Sequence, residues 1–209
     1  MSTRLGIFGA LGVILFWAAF TAPPVAAQEG GAIPVPAGEV SAGYTFMRFF
    51  EEAPNGDSGV NFPAGWHAGA AANLNHWLAV AGEATGSYKN NLFEFNGEGT
   101  SSHVDASMFT LMGGPRFFSK RGRVSPFGQF LMGAAHVRAN ANFVGFGMSN
   151  TSTETETRFA IQPGGGVLVY LTDSVGVRAA ADFRTVFWEE DSSNAFAFST
   201  GMTFHWGRR

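Results

Sequence analysis

The sequence contains no cysteine, few charged residues and only one long apolar run. The absence of cysteine excludes a disulfide framework and a lipid anchor on cysteine, so an exported chain of this kind needs another form of closure. Charged residues make up 14% of the 209 residues, and the formal net charge is -3. Because the charges are also spread without long runs of one sign, no nucleic-acid partner is expected.

The one long apolar run lies at the N-terminus, where Arg4 precedes residues 5–20. This run has roughly 16 residues, fewer than the about 20 that a membrane-spanning helix needs, and small residues follow it. The pattern predicts a secretory signal peptide over residues 1–27, with cleavage between Ala27 and Gln28. Residues 28–38 contain two prolines and are expected to form a flexible leader.

The segment 195–206 alternates between large apolar residues and small or polar ones. Its large residues are Phe196, Phe198, Met202, Phe204 and Trp206. Such alternation indicates a strand, because strand side chains point to opposite faces with period two. The face opposite the large residues consists mostly of Ala, Gly, Ser and Thr, which suits the lining of a narrow interior. The segment therefore predicts a barrel strand whose bulky face meets lipid.

Seven further segments with strand-like alternation precede this one. They begin near residues 39, 65, 77, 103, 124, 158 and 175. The connections alternate between short turns and long polar segments, the latter expected to be loops at 51–63, 89–102, 140–157 and around 188–191. Transmembrane barrels have short periplasmic turns and longer outer loops. The predicted fold is therefore all-β, an eight-stranded antiparallel transmembrane barrel over residues 39–206, followed by a tail at 207–209.

The inward parity of the fourth and fifth strands stays open at this point. Residues 107–112 are apolar on both faces, and Gly113 and Gly114 are compatible with a β-bulge that would change the parity.

The pattern resembles the OmpA-type and OmpX-type small outer-membrane barrels of bacteria. The resemblance includes segments 124–136 and 164–170 and a C-terminal assembly signal, whose matching residues are Ser199, Gly201, Phe204 and Trp206. The family's signal usually ends at the aromatic residue, whereas this chain continues for three residues. The resemblance implies a location in the bacterial outer membrane, contact with its lipid and lipopolysaccharide, and insertion by the barrel assembly machinery.

Strand parity assigns a set of polar side chains to the barrel interior. They are Glu83, Arg116, Gln129, Arg158, Gln162, Arg178, Asp182 and Arg184. An eight-stranded barrel is just wide enough for side chains to fill it, and a buried charge needs a partner. The set is expected to form either a salt-bridge network that fills the lumen or a gated pore for ions or small solutes. The resemblance does not decide between them, because members of the family are described both as structural plugs and as narrow pores.

Two sets of residues suggest chemistry, but their positions on the strands argue against it. His103, Asp105 and Ser107 share one strand face. Residues two apart on a strand lie about 6.5 to 7 Å apart, which is too far for a nucleophile-to-base hydrogen bond of ~3 Å. His67 and His205 both point inward, but their strand positions place them near opposite ends of the barrel, so they are not expected to share a metal ion.

The acidic pairs at 154/156 and 189/190 lie in predicted outer loops, where charged side chains are usually solvated. We therefore predict no catalytic residue, cofactor or metal ion. The predicted function is a non-enzymatic outer-membrane barrel with a structural or surface-interaction role, toward an unknown extracellular ligand, or with limited passive solute passage. One alternative is a periplasmic lipocalin-like carrier, with an apolar pocket and a polar exterior. The other is a membrane-embedded lipid-modifying enzyme.

Overall fold

A computed structural model describes residues 35–52, 58–97, 100–119, 122–145, 148–189 and 191–208. Strands account for nearly all of these residues. They are β1 (Pro36–Glu52), β2 (Ser58–Phe62), β3 (Ala64–Asn73), β4 (Leu78–Gly97), β5 (Thr100–Phe118), β6 (Val124–Gly145), β7 (Met148–Tyr170), β8 (Val175–Phe187) and β9 (Ser192–Arg208). In these ranges no helix has the length and apolar character needed to cross a membrane. The predicted signal peptide and its cleavage site at Ala27 and Gln28 lie outside the described residues.

The strands form one antiparallel sheet that closes on itself. From β3 to β9 each strand pairs with the next, and β1 pairs with both β3 and β9. The segments β2 and β3 both pair with β1 and make one barrel strand, interrupted at Pro63. Proline has no N–H group to donate to a ladder, which accounts for the interruption. The barrel therefore has eight strands, which confirms the predicted fold.

The barrel carries its large apolar side chains on the outside. On β9 the alternate residues Phe198, Met202 and Phe204 are 41%, 54% and 53% exposed, whereas Ser199 and Thr203 between them are buried. A soluble protein would bury the bulky face, because removing apolar area from water is favourable. This surface is the opposite of the polar exterior that a lipocalin-like carrier requires.

The strands extend further at one end than the sequence predicts. Residues 89–102 and 140–157 are expected to be loops, yet β4 and β5 pair as far as Gly97 and Thr100, and β6 and β7 as far as Gly145 and Met148. These hairpins lie opposite the short turns, and we call their side of the barrel the outer end. Short turns face the periplasm in transmembrane barrels, so the hairpins face outward.

The strand boundaries also differ from expectation at both ends of the chain, and the structure shows the parity of β5 that the sequence leaves open. Pro36 on β1 already pairs with Arg208 on β9, so parts of the expected leader and tail belong to the barrel. No register shift occurs at Gly113 and Gly114, and the even-numbered residues of β5 face inward. The shift between β4 and β5 lies instead on β4 between Lys89 and Phe93.

Candidate functional site

The barrel interior holds a polar layer between two apolar layers. The outer apolar layer contains Met47, Phe62, Met108 and Val186, and the periplasmic one contains Phe118, Phe127 and Leu168. We call the polar layer the central network. It consists of Glu39, Glu83, Arg116, Gln129, Gln162, Arg178, Asp182 and Arg184, none of them more than 4% exposed. Ionic groups this deeply buried are tolerable only when they are paired.

Glu83 on β4 joins two arginines from other strands. Its Oε1 accepts hydrogen bonds from Arg116 Nη2 at 3.1 Å and from Arg178 Nη2. Arg116 Nη1 also donates to Glu39 Oε1 at 2.6 Å. The Cζ atoms of the two arginines lie 4.8 and 5.3 Å from the ring centroid of Phe127. Two neighbouring cations are thus balanced by two carboxylates and the face of an aromatic ring.

Gln129 connects this cluster to Asp182. Its Oε1 accepts from Arg116 Nε at 3.1 Å, and its Nε2 donates to Asp182 Oδ1 at 2.9 Å. An amide suits this position because it accepts from a cation on one side and donates to an anion on the other. Gly164 is the Cα partner of Asp182, and a Cβ there would lie 2.7 Å from Asp182 Cα. The glycine therefore leaves the room that the carboxylate occupies.

Arg184 forms the outer part of the central network. Its Nε and Nη2 donate to Gln162 Oε1 at 2.9 and 2.7 Å. Its Nη2 also donates to Thr85 Oγ1 at 3.3 Å, and this hydroxyl shares a 2.6 Å hydrogen bond with that of Thr110. The groups that accept hydrogen bonds from this arginine are therefore neutral side chains on other strands.

The central network differs in two residues from the set that parity assigns, because Arg158 is absent and Glu39 is added. Arg158 lies outside it, because its guanidinium pairs at 3.0 Å with Glu156 and with Glu189 at the outer end and is 25% exposed. This position corrects the expectation that Arg158 belongs to the interior. The sequence assignment omits Glu39, and it also omits Phe127, which borders the network from the periplasmic apolar layer. The inward parity of β1 marks Glu39, whereas nothing in the sequence marks Phe127 as the ring beneath the two arginines.

The residues that suggest chemistry do not converge on one site. His67 and His205 are both buried, and within the described residues no group of three or more His, Cys, Asp or Glu side chains is arranged to hold a metal ion. His103 lies on the outer part of β5, where Asn142 Nδ2 donates to its Nε2 at 3.2 Å. This is a cross-strand contact between neighbouring strands, without the geometry of a catalytic pair.

Two belts of aromatic residues border the exposed apolar surface. At the outer end Trp66 Nε1 donates to the Tyr88 hydroxyl at 3.2 Å, and the ring of Trp66 lies 6.1 Å from that of Phe109. At the periplasmic end Trp77 stacks on Phe117 with 6.1 Å between ring centroids. Aromatic belts of this kind mark the two membrane interfaces. The barrel is therefore an integral membrane barrel, and its exposed apolar surface contacts lipid.

Comparison with known proteins agrees with this class. A family model described as outer membrane protein beta-barrel domain matches residues 12–204. The chain belongs to this family, which confirms the predicted location in the bacterial outer membrane. No match is found among curated proteins.

Two solved structures illustrate the similarity in fold. Ail, the attachment invasion locus protein of Yersinia pestis, is 19% identical with a TM-score of 0.54, covering 81% of this chain and 100% of that one. Neisserial surface protein A is 14% identical with a TM-score of 0.50, covering 85% of this chain and 100% of that one. At these identities the likeness concerns the fold alone.

Proposed function

We propose that this protein is a closed, non-enzymatic barrel that presents a projecting β-sheet for contact with molecules outside the cell. The observation that carries the proposal is the unequal pairing of β7. Its pairing with β6 runs out to Met148, whereas its pairing with β8 begins only at Ala160. Among the described residues, 148–159 therefore have no strand partner on the β8 side. Such an edge offers backbone N–H and C=O groups to an extended segment of another protein.

The lengths of the strands support a surface role. β6 has 22 residues and β7 has 23. A tilted membrane-spanning strand needs only about 9 to 11 residues, so about half of each strand lies above the bilayer. Residues 151–157 are all exposed. Because the ladder with β6 already orders this segment, binding a partner there costs little conformational entropy.

The central network supports a closed lumen. It contains three carboxylates and three guanidiniums, namely Glu39, Glu83, Asp182, Arg116, Arg178 and Arg184. Beyond it, the buried thioethers of Met47 and Met108 occupy the outer part of the interior. Balanced charges that bond to one another and an apolar layer above them leave little room for a continuous path of water. We therefore propose a plug, and a gated pore is the alternative.

Planar-bilayer conductance of the refolded protein tests the plug. We expect a wild-type protein that does not conduct. Glu83→Ala and Arg178→Ala should each produce measurable conductance, because each removes a partner that neutralises and fills the central network. A wild-type protein that conducts steadily would support the pore instead.

Shortening the projecting hairpin tests the surface role. Replacing residues 137–156 by Asn-Gly joins the paired residues His136 and Thr157 through a tight hairpin turn and removes residues 148–156 of the projecting edge. Bacteria that display the full barrel should adhere to protein-coated surfaces more than bacteria that display the same amount of the shortened barrel. The control is the electrophoretic shift of the folded barrel, which should be retained. Equal adhesion would contradict the proposal.

We also propose that the C-terminal pattern directs assembly by the barrel assembly machinery. Phe204 and Trp206 face lipid on β9, whereas Ser199 and Gly201 belong to the opposite face. A Phe204→Ala/Trp206→Ala variant should give less folded barrel in cells while it refolds normally in detergent. An equal deficit in both settings would assign these residues to stability alone.

A further inference from the structure

The outer half of β7 alternates threonine with serine and glutamate, reading T-S-T-E-T-E-T over residues 151–157. The threonines have the parity of Phe159, which is 53% exposed on the lipid-facing side. The two glutamates have the parity of Ala160, which is buried toward the lumen. Since strand side chains alternate between faces, both glutamates of β7 lie opposite the face that continues the lipid-facing surface, and the carboxylate on that face comes from Asp105 of β5.

Neighbouring strands extend this row of threonines into a polar surface. We call it the threonine face: Thr151, Thr153, Thr155 and Thr157 on β7, their partners Asn142, Asn140, Arg138 and His136 on β6, and His103, Asp105 and Ser107 on β5. Thr151 Oγ1 donates to Asn142 Oδ1 at 2.8 Å, and Thr153 Oγ1 donates to Asn140 Oδ1 at 2.9 Å. These cross-strand bonds hold the side chains flat against the sheet and fix where each polar group points.

The position of the threonine face identifies what lies beside it. Its lowest row begins at His136, whose Cα partner on β5 is Phe109 of the outer aromatic belt. Four rows then extend about 20 Å along the strand, at about 6.8 Å per pair of residues, and a strand tilt of about 40° makes this roughly 15 Å of height above the interface. At that height a barrel in the outer membrane is surrounded laterally by the sugars and phosphates of the outer leaflet's glycolipid.

We propose that the threonine face binds the sugar-phosphate headgroup of lipopolysaccharide in the surrounding outer leaflet. Hydroxyl and amide groups both donate and accept hydrogen bonds, as sugar hydroxyls do. Arg138 supplies a guanidinium, whose geometry suits phosphate, and its Nε also donates to Asn140 Oδ1 at 3.3 Å. The occupant is membrane lipid because the face continues the lipid-contacting surface of the barrel. The free edge of β7 is a separate feature and lies in the plane of the sheet.

The test compares two variants of the full-length barrel that differ on opposite faces of the same strand. Arg138→Gln/Thr153→Val/Thr155→Val removes polar groups from the threonine face and keeps β-branched residues on β7. Ser152→Val/Glu154→Gln/Glu156→Gln changes the opposite face and is the matched control. Each protein is placed in phosphatidylcholine nanodiscs and titrated with lipopolysaccharide, with binding followed by native mass spectrometry.

The threonine-face variant should bind lipopolysaccharide about tenfold more weakly, because several hydrogen bonds and one charge-assisted contact are lost. The control should bind at least as tightly as wild type. Should the triple variant fail to refold, Arg138→Gln alone should also weaken lipopolysaccharide binding, and it leaves β7 unaltered.

Three outcomes would overturn the proposal. The first is an equal change in both variants, or no change in either. The second is equally tight, equally Arg138-dependent binding of phosphatidylglycerol, which would reduce the effect to charge. The third is binding of soluble core oligosaccharide as tight as that of the intact lipid, which would assign the face to a free glycan.

Discussion

Two ion pairs in this barrel have similar contacts and opposite surroundings. Arg178 and Glu83 meet in the central network, where their side chains are 1% and 4% exposed. Arg158 and Glu189 meet at 3.0 Å at the outer end, where the side chains are 25% and 82% exposed. Water screens the outer pair, whereas the inner pair has replaced water with protein partners. The comparison teaches that burial, and not the distance between two charges, decides how much stability is lost when one partner of an ion pair is removed.

Removing Glu83 should have the largest effect. Glu83→Ala leaves Arg116 and Arg178 buried without the carboxylate they share, which we expect to cost about 3 to 5 kcal/mol of stability. Urea unfolding in detergent micelles, followed by the electrophoretic shift of the folded barrel, measures this loss. Adding Arg178→Met should recover part of it, because one uncompensated charge is then gone. A Glu83→Ala variant as stable as wild type would remove the basis of the comparison.

The interior should also resist added volume where the outer surface does not. Gly164→Ala places a Cβ 2.7 Å from Asp182 Cα, so the acid must move away from Gln129. We expect a loss of about 1 to 3 kcal/mol, typical of overpacking, in the same unfolding experiment. Gly82→Ala is the matched control, because the nearest atom to its Cβ is Met112 O at 3.8 Å. Equal effects of the two substitutions would contradict a tightly packed centre.

The same contrast accounts for which parts of the fold the sequence predicts. In the membrane the two faces of a strand meet different surroundings, so residues such as Phe198 and Ser199 alternate visibly. This signal predicts the strands, the closed barrel and the inward direction of Glu83 and Arg178. Above the membrane both faces of β6 and β7 meet water, the alternation of apolar and polar residues disappears, and a strand looks like a loop. Backbone pairing there leaves no alternation of apolar and polar residues that would distinguish the strand from a loop.

The partners within the central network are harder to predict than its members. Arg116 and Glu39 are separated by 77 positions, and only the closed barrel brings them to 2.6 Å. Parity gives the direction of a side chain but not its height relative to residues on distant strands. Arg158 shows the same limit. It has inward parity, but it lies above Ala160, the outermost residue of β7 that pairs with β8. Its surroundings there are open, and its partners are outer acids.

A buried neutral pair should have an intermediate effect. Thr110→Val removes the hydroxyl that shares a 2.6 Å hydrogen bond with Thr85. Arg184 still donates to Thr85, so we expect a loss of only about 1 kcal/mol in the unfolding experiment. Thr155→Val is the control on the projecting strand, where the side chain is exposed to water, and its unfolding midpoint should not change. A larger loss for Thr155→Val than for Thr110→Val would reverse the comparison.

Removing Arg158 should have the smallest effect, although this residue contacts two acids and its guanidinium lies 5.7 Å from the ring of Trp188. In Arg158→Ala, water solvates the acids that lose their partner, so neither is left as an unpaired buried charge. We expect an unchanged unfolding midpoint, both at low salt and in high salt, where exposed pairs are screened anyway. Arg158→Lys separates charge from shape and should also match wild type. A loss for Arg158→Ala that approaches that of Glu83→Ala, and that Arg158→Lys does not rescue, would mean that the outer end excludes water as the lumen does, and the projecting sheet would then be a continuation of the plug.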